Sequence, residues 1–137
     1  MSCMSDREKI HPTAIVDPKA EVAENVQVGP YSVVGPEVVL QEDVCVGAHC
    51  QILGRTVIGP RTRIFGGAII GSVPQDRKYK PGDDVRLTMG ADNIVREYVM
   101  MNPGTVDGGA ETVIGDNNLF MAYSDVAHDC RIGSHCV

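Results

Sequence analysis

From Ile10 to Ile70 every sixth residue is aliphatic, running through Val16, Val22, Val28, Val34, Leu40, Val46, Ile52, Ile58 and Ile64 without a miss. A spacing of six matches neither the 3.6 period of an amphipathic helix nor the alternation of a flat strand. It requires a chain that returns to the same place at regular intervals. One short strand and one turn per hexapeptide would do this, with three hexapeptides closing a triangular coil and residues eighteen apart stacked one above another. The pattern therefore predicts an all-β fold, a parallel β-helix of hexapeptide repeats with these aliphatics pointing inward.

The residues between them agree. Four positions beyond each aliphatic come Ala14, Ala20, Val26, Ser32, Val38, Val44, Cys50, Thr56, Thr62 and Ala68, all small or β-branched and sized for the inside of a corner. Pro12, Pro18, Pro30, Pro36, Pro60, Gly54, Gly66 and Gly67 supply fixed or permissive φ at the bends. Stability in such a solenoid is nearly a sum of contacts between neighbouring coils.

The register fails at Asp76 and resumes at Met89, Val95 and Met101, then breaks again and resumes at Ile114, Phe120, Val126 and Ile132. The chain reads as a single hexapeptide-repeat domain over residues 1–137 with excursions near 72–88 and 102–113. Loops leaving a rigid scaffold are where function tends to sit. Within the first, Gln75, Asp76, Lys78 and Tyr79 form a compact set of donors and acceptors, and Arg77 and Lys78 suit a phosphate or another anion.

Composition narrows the function classes. The chain has no Trp and two Phe, as expected of a thin rod with aliphatic ladders, and its net charge of −6 gives nucleic acid no electrostatic foothold. Residues 1–9 hold no apolar stretch long enough for a signal peptide or a membrane span, which points to a cytoplasmic chain. The five cysteines form no Cys-x-x-Cys pair, and Cys50, Cys130 and Cys136 fall at the corner position as small core residues. His11, His49 and His135 read as solvated turn residues, and the seven-residue separation of His128 and His135 is not a zinc-ligand spacing. No metal and no cofactor is expected.

Three motifs on the rod, Gln75-Asp-Arg-Lys-Tyr, Gly104-Thr-Val-Asp-Gly-Gly and Ala127-His-Asp-Cys, together with the opening Ile10-His-Pro-Thr-Ala-Ile-Val, resemble the UDP-N-acetylglucosamine 3-O-acyltransferases. The resemblance implies a left-handed coil, against the right-handed habit of ordinary parallel crossovers. It also implies transfer of a 3-hydroxyacyl group from acyl carrier protein to the 3-hydroxyl of UDP-N-acetylglucosamine, the first step of lipid A synthesis, by a homotrimer. His128 would be the general base, Asp129 its orienting partner, and Gln75, Asp76 and Lys78 substrate-binding residues. Asp125 stands where the family commonly has a second histidine, and its carboxylate suits an acceptor with an amine at the sugar's 3-position. Pro103 stands where the family has an arginine before Gly-Thr.

Family chains run about as long again, adding coils and a C-terminal helical domain that carry an oxyanion-hole glycine. The resemblance thus covers an N-terminal half, and the isolated chain is expected to be inactive, since an oxyanion donor alone is worth about 10²- to 10³-fold in turnover. The alternatives are a non-catalytic β-helix fragment with a scaffold or assembly role, or another hexapeptide acyltransferase.

Overall fold

The computed structural model describes residues 9–137, so the reading of the N-terminal segment lies, apart from Lys9, outside the described residues. The described residues form strands and turns with no helix. The first coil holds β1 (Ile15–Val16), β2 (Glu21–Val22) and β3 (Gln27–Val28), and the second β4 (Val33–Val34), β5 (Val39–Leu40) and β6 (Cys45–Val46). The third holds β7 (Gln51–Ile52), β8 (Arg55–Ile58) and β9 (Arg63–Ile64), and the fourth β10 (Ile69–Ile70), β11 (Arg86–Met89) and β12 (Ile94–Val95). Then come β13 (Met100–Met101), β14 (Glu111–Ile114) and β15 (Leu119–Phe120), and finally β16 (Asp125–Val126) and β17 (Arg131–Ile132).

Every third strand pairs in parallel, giving three sheets: β1-β4-β7-β10-β13-β16, β2-β5-β8-β11-β14-β17 and β3-β6-β9-β12-β15. Each is the wall of a parallel β-solenoid, and each is lined inside by one ladder of the repeat. In the first sheet Val16, Val34, Ile52, Ile70, Met101 and Val126 lie in register one over another, and in the second Val22, Leu40, Ile58, Met89, Ile114 and Ile132 do the same. Val28, Val46, Ile64, Val95 and Phe120 line the third. Fully burying one such side chain stabilises by roughly 1.5–3 kcal/mol.

The inward reading fails at the margins. Ile10 bridges Val28 but is 44% exposed, because no further coil covers it among the described residues, and Val16 and Val22 are only partly buried for the same reason. At the other end Cys136 occupies its corner yet is exposed, while Cys50 is buried and Cys130 packs against the core.

The bends hold a second departure. Proline and glycine account for only part of them, because the third residue after many inward aliphatics takes a left-handed φ without being glycine: Asn25, Tyr31, Asp43, His49, Arg61, Asp92, Tyr98, Asn117, Tyr123, Asp129 and His135 lie between 56° and 65°. Asn and Asp tolerate this region through local hydrogen bonds. Four of the aromatic ones instead stack along one corner, Tyr31 on His49 with centroids 5.2 Å apart and Tyr98 on Tyr123 at 5.4 Å. His49 is therefore a stacked residue and not merely a solvated one.

A buried polar ladder runs along the corner between the second and third sheets. Asn93 donates to the carbonyls of Gly90 and Gly115 at 3.0 and 2.8 Å and accepts from Asn118 N–H at 2.9 Å, and Asn118 repeats the arrangement with Gly133 and Cys136. Each amide satisfies backbone groups of the next coil, and Asn93 one of its own coil as well, as buried polar groups require.

Candidate active site

The two excursions and the His128 turn leave the rod at the same edge. Segment 71–85 connects β10 to β11, segment 102–110 connects β13 to β14, and 127–130 connects β16 to β17, so all three join the first sheet to the second in successive coils. The register measures what each adds. Ile70 pairs with Met101 and Met101 with Val126, 31 and 25 residues apart where regular coils have 18, leaving thirteen and seven residues to loop out. Stacking thereby gathers motifs spread over more than fifty residues along the chain.

The loops are pinned from below. Asn102 is 2% exposed, and its side-chain amide donates to the carbonyls of Ser72 and Val73 at 3.3 and 3.4 Å, tying the base of the first loop to the second. Residues 102–105 are buried while 106–109 are exposed. Thr105 closes the turn, accepting from Gly108 N–H at its hydroxyl and from Ala110 N–H at its carbonyl. At the loop tips Lys78 Nζ approaches Asp107 at 3.7 Å, both side chains exposed, a pairing worth little in water and readily exchanged for a ligand.

At the level below, His128 Nδ1 is 2.8 Å from Asp129 Oδ2. Asp129 also accepts the Thr105 N–H on Oδ1 at 2.6 Å and the Thr105 hydroxyl on Oδ2 at 2.5 Å, while its own N–H donates to Thr112 Oγ1 at 3.0 Å. Burial pushes the Asp129 carboxyl up, but the Thr105 hydroxyl and N–H together with His128 outweigh it and hold the carboxyl below the usual carboxylate range. An ionised Asp129 can only accept, so the hydrogen between the two side chains lies on Nδ1 of His128, and the neutral ring then presents its lone pair at Nε2. The imidazole is about one-third exposed. Such an arrangement is chemically able to act as a general base with its tautomer fixed.

Above the dyad a cavity of about 370 Å³ opens between the loops, lined by Asp76, Lys78, Tyr79, Lys80 and Asp83 on one side and Thr105, Val106 and Asp107 on the other. Asp76 and Lys78 both line this cavity, with Asp76 Oδ1 also accepting the Lys78 N–H at 2.9 Å. Thr105 belongs both to this lining and to the dyad's hydrogen bonds. Gln75 and Asp125 sit elsewhere. Gln75 Nε2 lies 3.2 Å from Met100 Sδ, folded back on the outer face of the first sheet, and Asp125 is Met100's register neighbour on that face. The Asp125 side chain is exposed and makes no ion pair or hydrogen bond among the described residues.

Sequence reasoning passed over Thr105, Asp107 and Lys80. The first two lie inside Gly104-Thr-Val-Asp-Gly-Gly, so the motif was visible, but only stacking shows that its threonine faces an aspartate 24 residues on.

Comparison with known proteins agrees with the fold. The family model for the bacterial transferase hexapeptide (six repeats) matches residues 111–137. An acyl-(acyl-carrier-protein)–UDP-N-acetylglucosamine O-acyltransferase of Rhizobium johnstonii is 47% identical over all 137 residues, which span 50% of that protein. Its Helicobacter pylori (strain ATCC 700392 / 26695) counterpart is 54% identical over 129 residues, 94% of this chain and 47% of that one. A crystal structure of a UDP-N-acetylglucosamine acyltransferase superposes with a TM-score of 0.91 at 49% identity, covering 93% of this chain and 49% of its own. The chain spans about half the length of the curated relatives it matches.

Proposed function

We propose, from the premise that this chain is homologous along its length to about half of an acyl-(acyl-carrier-protein)–UDP-N-acetylglucosamine O-acyltransferase, that it supplies the general base and the acceptor-side pocket of such an enzyme. The reaction moves a 3-hydroxyacyl group from acyl carrier protein to the 3-hydroxyl of UDP-N-acetylglucosamine, the first step of lipid A synthesis. The observation that carries this is His128 Nδ1 held at 2.8 Å by an Asp129 that Thr105 keeps ionised, Thr105 itself lining the cavity that Lys78 and Asp76 share.

His128 Nε2 takes the proton of the sugar hydroxyl as that oxygen attacks the thioester carbon. The new C–O bond forms, the C–S bond breaks, and the departing thiolate recovers the proton from the imidazolium. Asp129 stabilises the imidazolium while it lasts. Lys78 and Lys80 suit the diphosphate, and Asp76 a sugar or ribose hydroxyl, while Gln75 and Asp125 lie outside this cavity on the outer face of the first sheet. The reading carries with it a cytoplasmic homotrimer as the working form, and acyl carrier protein as the donor's carrier.

The test joins this chain to the half of the Helicobacter pylori relative that it does not match. The chimaera should transfer a 3-hydroxyacyl group to UDP-N-acetylglucosamine, and His128→Ala should lose about 10⁴-fold in turnover. Calorimetric titration of the unaltered chain with UDP-N-acetylglucosamine should give binding that Lys78→Ala weakens and His128→Ala leaves alone. Transfer undiminished by His128→Ala would overturn the reading.

A further inference from the structure

We infer that Thr105 is the positioning residue of the His128–Asp129 dyad, gripping both oxygens of the carboxylate and so setting the tautomer and aim of the imidazole. The inference deepens the acyltransferase reading and rests on it for its catalytic meaning, but the contact itself is a property of this chain alone.

Three observations carry it. The grip is two-pointed, with Thr105 N–H on Oδ1 and Thr105 Oγ1–H on Oδ2. A carboxylate held at one oxygen can swing about its Cβ–Cγ bond, whereas one held at both has its plane fixed, and with it the direction from which Oδ2 receives His128 Nδ1–H. Thr105 is 6% exposed, so water does not compete for these bonds as it would on the surface. Finally, the hydroxyl is itself aimed: Gly108 N–H donates to Oγ1 at 3.2 Å, so its remaining hydrogen is directed at Asp129.

The arrangement also couples the dyad to the pocket. The residues following Thr105, Val106 and Asp107, line the cavity, and Asp107 faces Lys78 across it. A ligand that displaces Asp107 from Lys78 pulls on the same short turn whose first residue holds Asp129. A misplacement of about 1 Å at a catalytic group can cost about 10²-fold.

The alternative role for Thr105 is purely local, closing its own turn through Gly108 and Ala110. The two roles separate in the state of His128. Long-range ¹H–¹⁵N NMR of the histidine ring in this chain, at a pH where the imidazole is neutral, should show His128 protonated at Nδ1. Thr105→Val and Thr105→Ala, which keep the N–H but remove the hydroxyl, should shift the ring to a mixture with the Nε2–H tautomer that an unconstrained histidine side chain prefers in water. Thr105→Ser should restore the parent spectrum. Folded Val and Ala variants that keep the parent tautomer would overturn the inference, as would a serine variant that fails to restore it.

In the active chimaera, the Val variant should lose about 10²-fold in kcat with KM for UDP-N-acetylglucosamine nearly unchanged. A loss confined to KM would place Thr105 in substrate binding and overturn its positioning role. A hydroxyl-dependent tautomer in a chain whose chimaera never transfers acyl groups would support the contact and discard the acyltransferase reading instead.

Discussion

Gly108 leaves room for Asp129: a methyl group built on Gly108 would stand 2.1 Å from Asp129 Oδ2 and 2.3 Å from Cγ. The carboxylate it would strike is already held by Thr105 and His128, so it has no free direction in which to yield. Glycine is required here for the close approach and not for backbone freedom, since its φ is not in the left-handed region.

Gly108→Ala should therefore damage the dyad more than the fold. Displacing Asp129 by about 1 Å predicts a loss of about 10²-fold in acyl transfer by the chimaera. Gly109→Ala provides the contrast. Its methyl meets nothing within 4 Å, but φ is +113°, so it should lower the melting temperature through backbone strain while leaving the dyad in place. Kinetics and melting of the two variants check the crossing pattern, and equal activity losses would contradict it.

The dyad and the pocket should separate in kinetics. Asp129→Asn leaves an amide that can present its N–H to His128 and so favour the wrong tautomer, with a loss of about 10⁴-fold in kcat. Asp76→Ala and Lys78→Ala touch the cavity and not the imidazole, so each should raise KM for UDP-N-acetylglucosamine and leave kcat within a few-fold of the parent. Steady-state kinetics with acyl carrier protein thioester held saturating reads both.

Much of the fold was legible because the hexapeptide pattern is local: each aliphatic at a sixth position reappears in its ladder, including Met89, Met101 and Phe120 beyond the interruptions. The site was legible only in pieces. His128 and Asp129 are adjacent in sequence and could be paired by inspection, but Thr105 and Gly108 reach Asp129 only because a seven-residue excursion lands them one coil away. Gln75 and Asp76 show the opposite limit. As sequence neighbours they looked like one cluster, yet one lies against Met100 on the first sheet and the other in the cavity, since successive residues in an extended loop point to different sides. The left-handed tyrosines escaped notice because stacking along the solenoid, invisible in a single repeat, compensates a conformation that bulky residues avoid.

Asn93 should be among the most sensitive polar positions in the rod. It is 0% exposed, and replacing it with leucine leaves the Gly115 carbonyl and the Asn118 N–H without their partners, two buried groups costing about 1–3 kcal/mol each. Urea unfolding should show a loss of about 2–6 kcal/mol. Because neighbouring coils stabilise one another, amide exchange should accelerate first in β12 and β15, which flank the broken rung. A loss under about 1 kcal/mol would mean that water replaces the amide.

The Asp129 contacts also predict a dependence of stability on acid. Its carboxyl is held below the usual range in the folded chain, whereas the unfolded chain should show an ordinary value of about 3.9. The unfolded state therefore binds the proton more readily, and protonation favours unfolding. The stabilisation from this group is fully present above pH of about 4 and is lost as the pH falls through the lower, folded value. Asp129→Asn removes the titration but also disturbs its partners, so the informative quantity is the difference between parent and variant as a function of pH. That difference should shrink steadily as the pH falls below about 4. Urea unfolding across that window measures it. A gap that stays constant through the acid range would mean that Thr105 and His128 hold the protonated carboxyl as well as the charged one, and would remove Asp129 as a source of acid sensitivity.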